Sequence, residues 1–275
     1  MITVQSAFRY PVKSMLGVPA DAASVVASGL LGDRGWALVD LETGKVASAK
    51  RPRLWRRLLR VRVEQPAEGG PIGMVLPGGE RVVAGAPEAD EALSRLLDRP
   101  VAMRQAREPG AEIDRAVPEE VLDHGMDAEV DATVIELSAA APGQGFVDYA
   151  PLHLITTATL ATVDTALGRH VDPRVFRPNL VLATPGLSGY AENGWIGSEL
   201  AIGQEVRLAV FQQTPRCAVP TLPHGDLVPD PDVLRMLSRD NRVPVEGAGR
   251  QPVAGVYATV LAGGTIRPGD LVRRT

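Results

Sequence analysis

Cys217 lies in Thr214-Pro215-Arg216-Cys217-Ala218-Val219-Pro220-Thr221, directly after an apolar stretch that reads as a strand. Two flanking prolines stiffen such a loop, so it would present the side chain at a constant position. Arg216 beside it would favour the thiolate, the form that ligates a metal or attacks an electrophile. A single cysteine is also a common small apolar core residue, and composition by itself favours that plainer reading. Cationic side chains recur beside turns, in Tyr10-Pro11-Val12-Lys13-Ser14, Gly32-Asp33-Arg34-Gly35-Trp36 and Phe176-Arg177-Pro178-Asn179. Arginine offers a planar fork of donors for phosphate or carboxylate, and lysine a point charge. If these loops converge they form an anion pocket. Taken singly, each reads as a solvated or salt-bridged surface residue.

Other chemistry is missing from the chain. There is no Walker phosphate loop, no His-Glu-x-x-His and no G-x-S-x-G, and Gly247-Ala248-Gly249 lacks the third glycine of a dinucleotide fingerprint. The four histidines, His124, His153, His170 and His224, put no pair on one helical face, so each reads as structural or solvated. The run Lys50-Arg51-Pro52-Arg53-Leu54-Trp55-Arg56-Arg57 is the most basic and raises the question of nucleic acid. Its continuation, Arg60-Val61-Arg62-Val63, alternates as a half-buried strand does, which favours a solvated face. A net charge of −4 and a pI near 5.7 also argue against a dedicated nucleic-acid binder.

The elements that must carry these residues are mostly short strands. The 28 glycines and 23 prolines are scattered and cut the 275 residues into brief segments, as turn-rich β structure does. Strands are expected at 3–8, 36–40, 46–49, 58–64, 73–76 and 81–84, then at 180–183, 206–212, 255–261 and 271–273. Helices are expected over 88–97, ended before Pro100, over 156–167 with Thr156 or Thr157 as cap and Gly168 as stop, and over 231–238 with Asp230 as cap. Weak periodicity from Glu108 to Ala141 suggests an inter-domain segment. The fold class is therefore mainly β with a few helices (α+β), in two β-barrel-like domains divided as 1–115 and 116–275. One cysteine excludes an intrachain disulfide and any self-contained site needing several thiolates, which points to a reducing, cytoplasmic setting. No secretory signal and no apolar run long enough to cross a bilayer is present, so no membrane partner is expected.

Four motifs in register, Tyr10 to Val18, Gly29 to Trp36, Phe176 to Val181 and Arg216-Cys217-x-x-x-Thr221, resemble the MOSC family in order and spacing. The likeness covers nearly the whole chain. Its first half resembles the MOSC N-terminal β-barrel domain and its second the MOSC domain proper, as in molybdenum cofactor sulfurase and the amidoxime-reducing component. The resemblance implies a molybdenum cofactor, a molybdopterin whose dithiolene holds the metal. Cys217 would ligate that metal, Lys13 and Ser14 would meet the phosphate end, Arg34 and Arg177 would hold anionic or pterin groups, Arg216 would support the thiolate, and Asn179 would face the pterin edge. Relatives carry Thr-Thr-Val-Asp-Pro after the cysteine, where this chain reads Pro220-Thr221-Leu222-Pro223-His224. His224 then becomes the nearest ionisable neighbour and the candidate catalytic acid. The implied function is reduction of an N- or S-oxygenated small molecule, with electrons from a separate flavin or iron–sulfur reductase. The alternative is a sulfur or cofactor carrier that uses a Cys217 persulfide without turnover of its own. With only three lysines and Lys13 assigned to the phosphate end, pyridoxal phosphate is not expected.

Overall fold

The computed structural model describes residues 1–64 and 70–275. The chain is mainly β, and its centre is a closed seven-strand barrel. The barrel strands are β1 (Ile2–Arg9), β2 (Leu152–Thr156), β3 (Leu180–Ala183), β4 (Glu199–Ile202), β5 (Val206–Pro215), β6 (Gly249–Ala262) and β7 (Leu271–Arg274). Around the barrel the order is β2, β3, β1, β7, β4, β5, β6, and pairing of β6 with β2 closes the ring. Closure leaves none of these strands with an open edge.

Period-two alternation sorts the side chains. Leu152, Leu154, Leu180 and Leu182 point into the barrel core beside Val4, Leu200, Leu208 and Val256. Ile155 and Val181 point the other way, into a second apolar cluster with Val163, Val233, Met236 and Leu237 of two covering helices, Thr157–Leu167 and Asp232–Asp240. Thr156 caps the first helix by accepting from the Thr159 N–H at 3.2 Å, and Gly168 ends it in the left-handed region at φ 65°. Both were expected from the sequence.

A third cluster lies apart from the barrel. It gathers Val12, Leu38, Leu58, Val63, Met74, Leu93 and Met103 from short strand pairs and from the helix Pro87–Leu97. The strands here are Ala37–Asp40 with Val101–Arg104, and the meander Arg62–Glu64, Gly73–Val75 and Arg81–Val83.

Three local expectations change. Residues 46–49 form no strand; Val46 makes a single bridge to Val39. Residues 52–60 coil into Pro52–Trp55 and the 3-10 turn Arg56–Arg60, so only Arg62–Glu64 of the expected 58–64 strand is extended. Pro52 opens a helical turn readily, and the apolar spacing of Trp55, Leu58 and Leu59 suits one buried helical face. Between Glu108 and Ala141 lie an antiparallel pair, Glu112–Ala116 with Ala132–Glu136, and the helix Pro118–His124. Only Ile113 and Ala116 of that pair are buried, so its alternation was too polar to register.

Gly255 of β6 has φ +82°, and a Cβ there would stand 2.3 Å from His153 Nε2 and 2.5 Å from the Leu154 carbonyl. Gly255→Ala combines backbone strain with a clash against backbone, and is expected to lower stability by about 2–4 kcal/mol. Urea unfolding of the variant beside wild type measures this.

Candidate functional site

The cleft opens where several connections meet: the loop after β1, the turn at Arg34, the stretch around Lys50, the approaches to β2 and β3, and the exit from β5. Lys13, Ser14, Arg34, Arg177, Asn179, Arg216 and Cys217 all line it. The sequence-expected residues other than His224 thus share one wall, although 204 positions separate Lys13 from Cys217.

Local backbone aims them. Five non-glycine residues among those described have left-handed φ, and three line the cleft: Ser14 (63°), Arg34 (48°) and Arg177 (55°). A side chain in that region is uncommon and strained, and such strain concentrates where a group must be aimed. Arg34 is fixed by its N–H to the Tyr10 carbonyl at 2.7 Å, and Arg177 closes the 3-10 turn Pro173–Phe176. The two guanidinium groups lie against the Tyr10 ring, at 4.7 and 4.4 Å from its centre. Arg177 also donates to the Met15 carbonyl at 2.7 Å, and Arg34 is paired with Asp33. The other arm comes from β5, whose register against β6 shifts three times, last between Gln213 and Pro215. Such irregularity re-aims side chains at a strand end, and here it delivers Thr214, Arg216 and Cys217.

Sequence reasoning missed four contributors. Lys50, Asp148, His153 and Tyr257 also line the cleft. Asp148 accepts from Lys13 Nζ and holds Lys50 Nζ at 3.2 Å, while Lys13 Nζ donates to the Phe146 carbonyl at 3.0 Å. One carboxylate therefore faces five cations: Lys13, Arg34, Lys50, Arg177 and Arg216. Burial lowers Lys13 to about 8, against the opposing pull of Asp148. Burial similarly lowers Arg177 to about 10. Asp148 is held well below the usual carboxylate range: burial opposes its charge, but Lys13 and Lys50 outweigh that. His153 is driven well below its ordinary value by burial and by Arg216, and stays neutral. Signals for these four were faint. Lys50 sat in a run that read as solvated, and Asp148 is one acid among 33.

Cys217 is 7% exposed. It clusters with Ala49, Leu59, Val219 and Leu222, yet it also lines the cleft together with Lys50 and Arg216. Arg216 is fixed by Nη2 donating to the Phe176 carbonyl at 2.8 Å, and its Nε has no partner. Thr214 Oγ1 is likewise buried without a partner. Unsatisfied buried polar atoms in a cationic cleft mark positions that a bound group would complete. Asn179 lines the cleft, but its side chain is occupied by the fold: Oδ1 accepts from the His153 N–H at 3.1 Å and Nδ2 donates to the Phe8 carbonyl at 3.4 Å.

The catalytic reading of His224 requires correction. It is 1% exposed and lines a different cavity, with Arg174 and Asp226. Its Nδ1 donates to the Leu222 carbonyl at 2.9 Å, and burial with the Arg177 charge pushes its pKa down to about 4. A neutral imidazole outside the cleft is no proton source there. The loop after Cys217 folds as the 3-10 turn Val219–Thr221 and carries the ring behind the Arg177 wall.

Fold and cleft together define a β-barrel protein with a thiol in a cleft lined by five cationic side chains. A sequence model of the MOSC N-terminal beta barrel domain matches residues 1–95 and one of the MOSC domain matches residues 143–273; the chain belongs to the MOSC family. It is 26% identical over 296 residues to "Mitochondrial amidoxime-reducing component 1" of Homo sapiens, covering 98% of this chain and 82% of that protein. It is also 26% identical to "Mitochondrial amidoxime reducing component 2" of Homo sapiens, over 99% of this chain and 83% of that one. Among solved structures, the YUAD protein from Bacillus subtilis aligns with TM-score 0.42 at 11% identity, over 99% of this chain and 94% of that chain. Among the described residues, no helix is long and apolar enough to cross a membrane.

Two outcomes follow from the charge states. Sulfate keeps its charge near neutrality, so its affinity reports the cleft: it should weaken about tenfold from pH 7 to 9 as Lys13 deprotonates through about 8. Lys13→Met should bind it weakly with a flat profile, by calorimetry. For His224 the folded value lies below the unfolded one, so its stability contribution is complete above about 6.5 and is lost as pH falls through about 4. Wild type should lose about 3 kcal/mol more than His224→Asn between pH 7 and 4 in urea unfolding.

Proposed function

We propose that the protein is a molybdenum-cofactor-binding oxidoreductase that reduces an N- or S-oxygenated small molecule, with Cys217 as a ligand to the metal. The observation that carries this reading is the convergence of one thiol with five cations in a single cleft. Among the described residues, no cluster of three or more His, Cys, Asp or Glu could hold a metal ion. Cys217 alone would leave the remaining ligands to a cofactor that brings its own, and a soft thiolate suits a metal already bound by sulfur. The donor set fits an anionic cofactor, and the unpartnered Thr214 Oγ1 and Arg216 Nε fit it further. When bound, the cofactor would supply two-electron oxygen-atom transfer.

The chain's own residues do the rest. Lys13, with the Ser14 hydroxyl, holds the phosphate end; Ser14 Oγ already accepts from the Ala49 N–H at 3.0 Å and keeps its proton to donate. Arg34 and Arg177 present their guanidinium planes across Tyr10 to anionic or pterin groups. Lys50 and Arg216 place positive charge at Cys217. Asp148 keeps Lys13 and Lys50 charged and in position. Tyr149 and Tyr257, with ring centres 5.6 Å apart and Phe211 packed against both, wall one side with aromatic surface and limit water. Asn179 acts as a positioning residue, because its amide joins β1 to the start of β2.

Electrons would come from a separate flavin or iron–sulfur reductase, and the relatives' names, amidoxime-reducing components, support a substrate bearing an N–O bond. The lone thiol suits a reducing, cytoplasmic compartment. Division of the chain at 115/116 belongs to the same proposal: the apolar cluster of residues 12–103 and the barrel core are separate, while β1 is shared into the barrel.

Expression in a host that makes the cofactor tests this. Wild type should purify with near-equimolar molybdenum, a fluorescent pterin after oxidation, and reduction of an aromatic amidoxime by a reduced viologen. Cys217→Ala should lose the reduction and at least about nine-tenths of the metal, since a metal–thiolate bond is a large share of such a site's affinity. Absence of both metal and pterin from wild type overturns the reading. A mass increase of one sulfur on Cys217 without metal would establish the carrier instead.

A further inference from the structure

Tyr257 stands on β6 between Val256 and Ala258, whose side chains belong to the barrel core, so its ring points outward and lines the cleft. It lies in register with His153 of β2 and with Gln212 of β5, beside the register shift between Val210 and Gln212. Three rings fix it: Tyr149 at 5.6 Å between centres, His153 edge-on at 6.2 Å and Phe211 stacked at 6.4 Å. A phenol packed on several sides carries its hydroxyl to a fixed place.

That hydroxyl takes no part in holding the fold. Tyr10 donates to the Pro178 carbonyl at 3.1 Å and Tyr190 to the Met236 sulfur at 3.5 Å, whereas the Tyr257 oxygen has no hydrogen-bond partner among the described residues. Nor is the oxygen sealed in the interior; it opens on the cleft. Tyr257 and Cys217 both act on Lys50 and on Arg216, which puts the phenol at the thiol's end of the cleft. The other donors there are engaged: Lys50 with Asp148 at 3.2 Å, and Arg216 with the Phe176 and Ala254 carbonyls at 2.8 and 3.3 Å. A phenol near neutral pH keeps its proton, and burial raises Tyr257 further above its ordinary value. One protonated donor beside the thiol is thus open to a ligand and used by nothing in the fold.

We propose that Tyr257 is a catalytic residue whose hydroxyl donates a hydrogen bond to the oxygen of the substrate's N–O or S–O group and holds it at the thiol's end of the cleft. This rests on the reductase reading above and adds the group that recognises the oxygenated atom. An N-oxide or sulfoxide oxygen carries partial negative charge and accepts strongly, and a neutral phenol meets it without adding another cation to the cleft. The reduced product has lost that oxygen and the bond with it, so the same hydroxyl favours substrate over product.

Calorimetric binding to the cofactor-loaded protein without reductant tests this, with pyridine N-oxide and pyridine at pH 8, where neither carries net charge. Wild type should bind the N-oxide at least about tenfold more tightly than pyridine, and Tyr257→Phe should bring the two within about threefold by weakening the N-oxide alone. Phenylalanine keeps the ring packing and the lost hydroxyl had no partner in the fold, so the variant should keep the wild-type melting temperature and molybdenum content. With reduced viologen, its kcat/KM for an aromatic amidoxime should fall at least about tenfold. Wild type without metal and pterin overturns the functional reading and this inference with it. With metal-replete wild type, four results overturn this inference alone: no preference for the N-oxide, a preference that survives Tyr257→Phe, a larger loss from Tyr149→Phe than from Tyr257→Phe, or molybdenum missing from Tyr257→Phe.

Discussion

A lysine or arginine taken out of water must be compensated, and the cleft does so for two lysines with one carboxylate and for three arginines with partners behind the wall. Asp148 lies between Lys13 and Lys50 and so lets two ammonium groups sit close together. Arg34 leans on Asp33, Arg177 on the Met15 carbonyl and the Tyr10 ring, and Arg216 on the Phe176 carbonyl. Each cation is thereby held in a fixed place with charge to spare. The depressed values of Lys13 and Arg177 come first from burial, which weighs against their protons, with the neighbouring cations adding to it. An arrangement of this kind is preorganised for an anion: the desolvation has already been met by folding, so little reorganisation remains for binding.

The barrel supplies the rigidity. Seven strands closed into a ring have no open edge, and their alternation commits one side chain in two to the interior. The residues between are free for other work. His153 follows Leu152 and precedes Leu154, so it points out of the barrel into the cleft. Gly255 makes room for it on the neighbouring strand, where any Cβ would meet the imidazole. Left-handed turns at Ser14, Arg34 and Arg177 then convert strand ends into aimed side chains. Strain at those positions is carried by the surrounding hydrogen bonds, as in sites whose geometry matters more than their local stability.

Placement of the thiol is of the same kind. Cys217 belongs at once to a small apolar cluster and to the cleft wall, so its sulfur is shielded from solvent yet faces Lys50 and Arg216. Burial in an apolar cluster and a place on the cleft wall are both true of it. Under the proposed function, the neighbouring charge is what would separate a ligand from a core residue at this position.

Several features were legible in the residues alone. Strand β3, the helix Thr157–Leu167 with its threonine cap and glycine stop, and the mainly β class follow from local propensity, capping and alternation, which act over a few positions. So did the set of turn-borne cations and the thiol after β5, read partly through family likeness. Tertiary structure decided which of them meet. Pairing of β1 with β3 and β7 joins residues more than 170 positions apart, and alternation tells which face a side chain takes without telling which strand lies beside it. That is why Lys50, Asp148, His153 and Tyr257 entered the cleft unannounced, and why His224, seven positions from the cysteine, was turned away from it by the Val219–Thr221 turn.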